Sequence, residues 1–511
     1  MSITSLQFIA FFAISLLFYY VLPNNARWFG LLVASAIFFI LSCEPKTGFY
    51  LLGCILETHA SCVIISKSKN KKPRISKFAL ILGIISNISI LAALKYSNFF
   101  VRNWNIVSSI LHFPRIDYVF NWAAPIGISF YTLQAIGMIV DTYWGVVEPN
   151  NNIFKTALFI AYYPQLTSGP ISRYQNMEKT FFENNTFSYK NLTHGVQRML
   201  WGFFKKLVLS SRISVLVNTI YNNFESYPSL YIFFAACLFM LQLYTDFSGC
   251  MDIIIGASET YGINLPENFR TPFFSQSVQE FWQRWHITLG GFMRDYVMYP
   301  ILRTGLWKKL EKSIKKKFGK KAAKQIPSYL AMLFVWLLIG LWHGGLYKYI
   351  IGQGLWFWVC IILEQVGAPL WKKIITVLHI KHQSFSFHLF RSIKTYLLVS
   401  FGNIFFRADD FNSAINIIKF TFSGKSNPWI FFDGSLYSLG LDGKDMAVVF
   451  LGLFVLLVVS VLQEKGSVRD MIDQQNIWFR WFVYYLLFFI IVIFGKYGPG
   501  YNASDFIYKG F

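Results

Sequence analysis

The sequence predicts an all-α protein that crosses a membrane many times. Of its 511 residues, 55% are hydrophobic and 14% are charged, and the mean hydropathy is +0.43. A soluble domain carries about 25% charged residues, so this chain has too few charges to cover a water-exposed surface. Apolar runs near the ~20 residues needed to cross a bilayer recur along the whole sequence. We therefore expect a single membrane-embedded domain over residues 1–511.

The apolar runs define about eleven candidate spans. They cover residues 6–22, 28–43, 49–65, 78–94, 123–140, 230–247, 327–346, 349–368, 393–406, 446–462 and 478–495. Residues 1–100 are expected to form peripheral N-terminal spans, 120–410 a motif-bearing core, and 440–511 C-terminal spans. From Trp122 to Tyr299, Pro, Gly and charged residues interrupt the apolar sequence. Irregular backbone at membrane depth needs protein or water around it, which predicts re-entrant or interfacial helices around a central tunnel.

The net charge of +22 is concentrated in short polar segments. One basic loop covers Lys67–Lys77 and a second covers Lys308–Lys324. By the positive-inside rule both loops face the cytoplasm, which places Met1 outside. Such loops serve topology and contact anionic lipids, so nucleic-acid binding is not expected. The first span lacks a basic n-region and is expected to remain as a helix, and Pro327 is expected to open the helix after the second loop.

Several classes of enzyme lack support in the sequence. The six cysteines lie in or beside apolar segments without paired loop spacing, which indicates neither a disulfide framework nor a zinc site. The chain has no Gly-x-Ser-x-Gly elbow, no phosphate-binding Gly-rich loop and no His-Glu-x-x-His motif. Serine hydrolases, nucleotide-driven pumps and zinc proteases are therefore not expected, and we predict no metal and no tightly bound cofactor.

Two histidines lie in sequence apolar enough for a membrane. His343 stands in Gly340–Gly345 at the end of a long apolar run, and His286 follows Trp282 by four residues. An ionisable side chain at bilayer depth costs several kcal/mol unless it is paired or lines a polar cavity, so it indicates a functional site. An enclosed imidazole can act as a general base toward a hydroxyl group.

A thioester donor would need little more than this base. Its thiolate is a good leaving group, so one base, correct positioning and a donor that polarises the carbonyl would suffice. Candidates for that donor are His286 and the indole N–H groups of Trp285 and Trp342.

Structural interpretations compete with each of these functional ones. His343 could be a packed histidine that bonds a neighbouring helix. His286 could lie on an amphipathic helix along the membrane surface, supported by an i,i+4 pair of Glu280 with Arg284, while Trp282 and Trp285 would be interface aromatics.

Acidic residues near the end of the 230–247 run favour a structural role. Asp246 and Asp252 are interpreted as helix-end residues or as partners of Arg270 or Arg284.

An ordered series of motifs resembles the membrane-bound O-acyltransferase family, in its bacterial polysaccharide-modifying branch. Besides the two histidine segments, the motifs are Leu94–Phe100, Pro125–Gln134, Tyr163–Ile171, Gly202–Lys206, Asp246–Gly249, Leu265–Arg270, Arg294–Tyr296, Phe405–Ala408 and Phe506–Tyr508. In one departure, Gly352–Trp358 contains no histidine, although relatives often carry a His-Gly pair there.

The resemblance implies an O-acyltransferase, most simply an O-acetyltransferase, in a bacterial cytoplasmic membrane. It implies that His343 is the catalytic histidine and His286 the second motif histidine. Motif and tunnel support would come from Trp282, Trp285, Trp342, Asp246, Asn268, Arg284, Arg294 and Asp295.

The resemblance further implies an acyl donor and partners. The donor would be acetyl-CoA or a carrier-protein thioester in the cytoplasm, and the acceptor an alginate-, peptidoglycan- or cellulose-like polymer. An extracytoplasmic SGNH-type acetyltransferase or a small membrane relay subunit would assist, because we expect no soluble domain for that step within this chain. Anionic donor groups would lie near basic residues, of which the candidates are Lys308, Lys309, Lys315, Lys316 and Lys317.

Three other functions stay open at this point. One is a D-alanyl transferase-like subunit of teichoic-acid modification. Another is a transporter of a small polar or lipid-linked molecule, which would also need embedded polar residues. The third is a structural subunit that recruits an acylating partner and tolerates loss of both histidines.

Overall fold

The computed structural model describes residues 1–122, 124–148, 150–183, 185–423 and 428–497. Within these ranges the secondary structure is helical apart from one antiparallel bridge between Phe269 and Trp285. The all-α prediction is thereby confirmed. The predicted terminal motif Phe506–Tyr508 lies outside the described residues.

Each predicted apolar run coincides with a helix. Eight described helices are long and apolar enough to cross a membrane, so the chain is a multi-pass membrane protein. The other three runs fall in Leu6–Val21, Ile128–Trp144 and Phe385–Arg407. The first is only 16 residues long, the second is buried along almost its whole length, and the third carries several basic residues. The count of eleven spans stays a prediction.

The described residues divide into two compact units. Unit 1 consists of Met1–Phe203, Cys250–Pro266 and Tyr497. Its α-helices are Leu6–Val21, Arg27–Ser42, Gly48–Ser68, Pro73–Leu111, Ile128–Trp144, Ile153–Ala161, Tyr163–Leu166, Tyr174–Phe182, Tyr189–Phe203 and the last part of Ser229–Thr260. Short 3-10 turns occupy Asn24–Ala26 and Pro45–Thr47. The first predicted basic loop is real but shorter than expected, since only residues 69–72 separate two helices.

The core of unit 1 contains the Ile128–Trp144 helix. Gly127 precedes this helix with φ 79°, and a Cβ there would lie 1.8 Å from the Leu166 carbonyl oxygen, so only glycine fits the turn. Three buried hydroxyls bind one another nearby, with Tyr261 Oη 2.7 Å from both Ser15 Oγ and Tyr163 Oη. Buried hydroxyls need such partners to offset their lost hydration.

Unit 2 consists of Phe204–Gly249 and Glu267–Lys496. Its α-helices are Ser211–Asn222, the first part of Ser229–Thr260, Val278–Arg284, Ile287–Phe292, Tyr299–Arg303, Gly305–Trp342, Tyr347–Tyr349, Trp356–Val377, Phe385–Arg407, Phe411–Ser423, Gly443–Gln463, Val468–Asp473 and Ile477–Phe494. Its 3-10 turns are Phe224–Ser226, Pro272–Phe274, Pro428–Phe431 and Ser435–Ser438.

Unit 2 also contains irregular helices. Three segments are π-helical: Phe204–Ser210, Met293–Met298 and Ile350–Leu355. The first two lie in the region from Trp122 to Tyr299 where the sequence predicted irregular helices, and the third lies beyond it. A π-helical turn is rare and is found frequently at functional sites.

The prediction of a basic loop over Lys308–Lys324 is wrong. These lysines lie on the Gly305–Trp342 helix, which bends sharply at Gly319, where φ is 82° and ψ is 177°. Trp307 Nε1 donates a hydrogen bond to the Pro327 carbonyl oxygen at 3.0 Å, so the part before Gly319 folds back along the part after it. Pro327 therefore lies within a helix and does not open one. Lysine and alanine are good helix formers, which an interpretation based on charge alone overlooks.

Candidate active site

His343 lies at the point where a membrane-length helix stops. The Gly305–Trp342 helix ends immediately before it, and the His343 N–H still donates to the Ile339 carbonyl oxygen at 3.1 Å. The chain then turns at Gly345, whose φ of 61° favours glycine. This turn fixes the imidazole at the helix end, where its side chain is buried.

A close approach of two backbones forms one wall of the site. A Cβ on Gly340 would lie 2.7 Å from the Tyr349 carbonyl oxygen, so glycine lets the helix pack against the segment that follows His343. Aromatic rings then surround the imidazole: the Tyr349 and Phe406 ring centroids lie 6.4 Å and 5.8 Å from that of His343.

His286 occupies a sharp turn between two short helices. Val278–Arg284 ends just before it and Ile287–Phe292 begins just after it. Its φ of 47° is in the left-handed region, which costs a non-glycine residue roughly 1–2 kcal/mol. The interpretation of His286 as part of one continuous amphipathic helix is therefore wrong, because the helix that contains Trp282 ends at Arg284 and the backbone of His286 is not helical.

The structure brings both histidines close to one indole. The Trp342 ring centroid lies 6.0 Å from that of His286 and 5.1 Å from that of His343. His286 is 3% exposed and His343 is 2% exposed, so both rings are enclosed by protein. A buried imidazole can act as a base and an indole N–H as a hydrogen-bond donor, which are the kinds of group that acyl transfer uses.

His286 is held in its neutral form. Burial lowers the pKa of its imidazole to about 3. On one side its ring meets Phe247, at a centroid distance of 4.9 Å, and on the other its Nδ1 lies 3.2 Å from Asn268 Oδ1. Asn268 was predicted only as motif support, and the structure places it directly against a candidate catalytic side chain.

Asp246 was interpreted as a helix-end residue or as a partner of Arg270 or Arg284, and both interpretations are wrong. Asp246 lies within the Ser229–Thr260 helix and forms a buried ion pair with Lys206. The adjacent Lys205 Nζ donates to Ser248 Oγ at 2.8 Å. Phe247 lies between Asp246 and Ser248 in the sequence, and its ring contacts His286. This polar cluster therefore adjoins the site. Asp252 instead pairs with Arg198, at 2.9 Å, within unit 1.

Arg284 joins two parts of unit 2. The predicted i,i+4 pair is confirmed, with Arg284 Nη2 2.9 Å from Glu280 Oε1. Arg284 Nη1 also lies 2.7 Å from Glu464 Oε1, so this residue anchors the turn that carries His286. Arg294 and Asp295 pair with each other at 2.8 Å on a π-helical segment, and the Arg294 side chain is largely exposed.

The tryptophans occupy different positions. Trp285 is buried, and its ring centroid lies 4.9 Å from that of Phe269. Trp282 packs against Trp336 and Phe357, at 5.1 Å and 4.8 Å, and its Nε1 is buried without a hydrogen-bond partner. A buried N–H without a partner is costly unless a ligand accepts from it.

The structure does not bring the candidate donor-binding lysines to the histidines. All five lysines are exposed and lie on the first limb of the helical hairpin that bends at Gly319. From Pro327, which that limb contacts, the second limb runs 16 residues to His343, or roughly 24 Å. The lysines and the imidazole therefore lie toward opposite ends of one helix.

Sequence reasoning missed several residues around the histidines. Phe247, Tyr349 and Phe406 contact the imidazoles, Thr288 bonds Asn268, and Lys206 pairs with Asp246. For Lys206 a signal existed: two consecutive lysines inside the apolar stretch at 199–209 require buried partners.

The chain is similar to a family of membrane enzymes and to several of its members. The family model for the membrane-bound O-acyltransferase family matches residues 150–390. The peptidoglycan O-acetyltransferase of Helicobacter pylori is 26% identical over 81% of this chain and 78% of its own length. A probable alginate O-acetylase of Pseudomonas aeruginosa is 30% identical over 67% of this chain and 60% of its own length.

A further relative modifies a different polymer. The teichoic acid D-alanyltransferase of Bacillus subtilis is 29% identical over 44% of this chain. The chain spans 60% of the length of the Pseudomonas aeruginosa relative and 55% of that of the Bacillus subtilis relative. From these matches together, the chain belongs to the membrane-bound O-acyltransferase family and is an O-acyltransferase.

Proposed function

We propose that this protein moves acetyl groups from a cytoplasmic thioester to hydroxyl groups of a cell-surface polysaccharide, with His343 as the general base. The observation that carries the proposal is the placement of both His343 and His286 against Trp342 in a buried, aromatic environment. The names of the peptidoglycan and alginate relatives, which cover more of the chain than the D-alanyltransferase does, favour acetyl transfer to a polysaccharide.

The reaction needs no covalent intermediate on the protein. The oxygen of the accepting hydroxyl bonds to the thioester carbonyl carbon while its proton moves to His343. The carbon–sulfur bond then breaks, and the imidazolium returns the proton to the departing thiolate. The accepting hydroxyl belongs to the polymer or to a partner protein.

The proposal includes a place and a partner. The protein would act in the cytoplasmic membrane of a bacterium, and an extracytoplasmic SGNH-type acetyltransferase or a small membrane subunit would complete transfer to the polymer. The purified chain, supplied with acetyl-CoA and a soluble oligosaccharide, tests the need for this partner. Esterified sugar formed by the chain alone would show that no partner is required.

The acyl group itself can be identified in cells. Surface polymers from cells with and without this chain should differ in ester-linked acetate released by mild alkali. Release of D-alanine instead would favour the teichoic-acid function. Unchanged ester content together with altered uptake or export of a small molecule would favour a transporter.

The hairpin lysines should bind the donor's phosphates. Replacing Lys315, Lys316 and Lys317 together with glutamine should raise the KM for acetyl-CoA about 3- to 10-fold, because each exposed charge pair contributes at most ~1 kcal/mol. The matched control replaces Lys372 and Lys373, which are also exposed, and should leave KM unchanged. An unaltered KM in the triple variant would assign these lysines to lipid contact and topology.

The buried indole N–H of Trp282 should face a substrate oxygen. Trp282→Phe should then slow acetyl transfer about tenfold, because the substrate loses one hydrogen bond of ~1.5 kcal/mol. The melting temperature should not fall. Trp358→Phe is the control, because Trp358 Nε1 donates to the Tyr329 carbonyl oxygen at 2.9 Å, so this change should lower stability and spare the rate. Equal rates for wild type and Trp282→Phe would refute a substrate contact.

A further inference from the structure

One buried oxygen organises the turn that carries His286. Asn268 Oδ1 lies 3.2 Å from His286 Nδ1, 3.1 Å from the Thr288 backbone nitrogen and 2.9 Å from Thr288 Oγ1. The Asn268 side chain is fully buried. Three groups of the segment 286–288 therefore converge on a single atom.

The chemistry of these contacts fixes which atom is the donor. A backbone N–H can only donate, so the Asn268 atom facing Thr288 must be the amide oxygen and not the amide nitrogen. An amide oxygen can only accept, so His286 Nδ1 must carry the proton in this hydrogen bond. In a neutral imidazole the lone pair is then on Nε2.

The backbone of Asn268 holds the same turn. The Ile287 N–H donates to the Asn268 carbonyl oxygen at 3.1 Å, and the Arg270 N–H donates to the Arg284 carbonyl oxygen at 2.9 Å. These bonds flank the left-handed backbone of His286. A strained conformation persists only where its surroundings enforce it, and here the 268–270 segment does so.

We propose that Asn268 is a positioning residue that fixes His286 as the Nδ1–H tautomer, so that Nε2 serves the reaction as a hydrogen-bond acceptor. In this state Nε2 can accept from a hydroxyl group but cannot donate to a thioester carbonyl. The donor that polarises the carbonyl is then an indole N–H and not His286. The role of Nε2 toward substrate rests on the proposed function, whereas the tautomer does not.

The first test observes the tautomer directly. Full-length protein labelled with ¹⁵N-histidine is reconstituted in lipid, and its nitrogen shifts are compared with those of His286→Gln to assign the signals of His286. We expect a pyrrole-type Nδ1 and a pyridine-type Nε2 near neutral pH. A pyrrole-type Nε2 would overturn the inference.

The second test changes the oxygen while keeping its shape. Asn268→Asp preserves the acceptor for all three donors but adds a negative charge, which favours the imidazolium and raises the pKa of His286. The acidic limb of the pH–rate profile for acetyl transfer should therefore move to higher pH. A purely structural role for Asn268 would leave this limb where it is, and that result would also overturn the inference.

Other charged and titratable groups lie on the elements packed around His286. These groups are Lys205, Lys206, Asp246, Glu280, Arg284, Glu464 and His343. The Asn268→Asp variant retains all of them, so they do not account for a shift in the acidic limb of the pH–rate profile.

A third variant removes the oxygen. Asn268→Leu should lower the rate of acetyl transfer about 100-fold, because a misplacement of the His286 ring by about 1 Å has an effect of that size. The nitrogen spectrum of His286 should then show exchange between the two tautomers. The control is Asn403→Leu, another buried amide of unit 2, whose Nδ2 donates to the Val399 carbonyl oxygen at 2.9 Å. If Asn268→Leu lowered the rate no more than Asn403→Leu, the inference would be contradicted.

These outcomes separate the inference from the proposed function. If His343→Ala retained full transfer while the tautomer was as expected, the proposed function would fail and the tautomer would stand. If His343→Ala were inactive while Nε2 was protonated, only the inference would fail.

Discussion

Replacing His343 with alanine should reduce acetyl transfer to background. The imidazole is the proposed general base, and a positioned base contributes about 10²- to 10⁴-fold to rate. His343→Gln, which preserves more of the volume, should be equally inactive because an amide cannot take the proton. Transfer from radiolabelled acetyl-CoA, at matched protein levels in membranes, measures the effect.

A histidine elsewhere in unit 2 provides the control. His388 is exposed on the Phe385–Arg407 helix, so His388→Ala should retain the wild-type rate. If the His343→Ala variant retained full acetyl transfer at normal expression, His343 would not be the general base. Loss of transfer in both variants would mean that the assay reports folding and not chemistry.

Breaking the buried pair of Lys206 with Asp246 should cause the largest loss of stability. Each side chain is 4% exposed, and removing one partner of a buried ion pair costs about 3–5 kcal/mol. Asp246→Asn should therefore lower the unfolding midpoint in detergent sharply. The double variant Lys206→Met, Asp246→Leu should recover part of that loss, because it removes both charges of the pair.

The control for this prediction is the exposed pair of Arg294 with Asp295 in unit 2. Arg294 is 57% exposed, so Arg294→Met should change the free energy of unfolding by less than ~1 kcal/mol despite its pairing with Asp295. If Asp246→Asn lowered the free energy of unfolding no more than Arg294→Met, the pair of Lys206 with Asp246 would not stabilise the helix that carries Phe247. Because Phe247 contacts His286, Asp246→Asn should also slow transfer in the protein that remains folded.

Much of the fold could be predicted from the sequence because the bilayer restricts it. Long apolar runs in a membrane must be helical to satisfy their backbone, and each predicted run coincides with a helix. The pair of Glu280 with Arg284 was also predictable, since it is local and follows helical spacing. The position of His343 at a helix end follows from the glycines after it.

The contacts between elements were not predictable in the same way. Asp246 was expected to be a helix-end residue or to pair with Arg270 or Arg284, but it pairs with Lys206 on another helix. Spacing along one helix does not give the register between two helices. The positive φ of His286 and the bend at Gly319 are similar cases, because tertiary contacts decide them. The charge of Lys308–Lys324 indicated a loop, whereas helix propensity and packing against Pro327 produced a hairpin.

Transfer across a sealed membrane tests the central claim most directly, since His343 must serve a donor on one side and an acceptor on the other. Inverted vesicles from cells that contain the protein and its native partners would enclose a soluble oligosaccharide, and labelled acetyl-CoA would be added outside. We predict labelled ester on the enclosed sugar with wild-type protein and none with His343→Ala. Equal labelling by the two proteins would contradict the assignment of His343 as the base of an acyl transfer through the membrane.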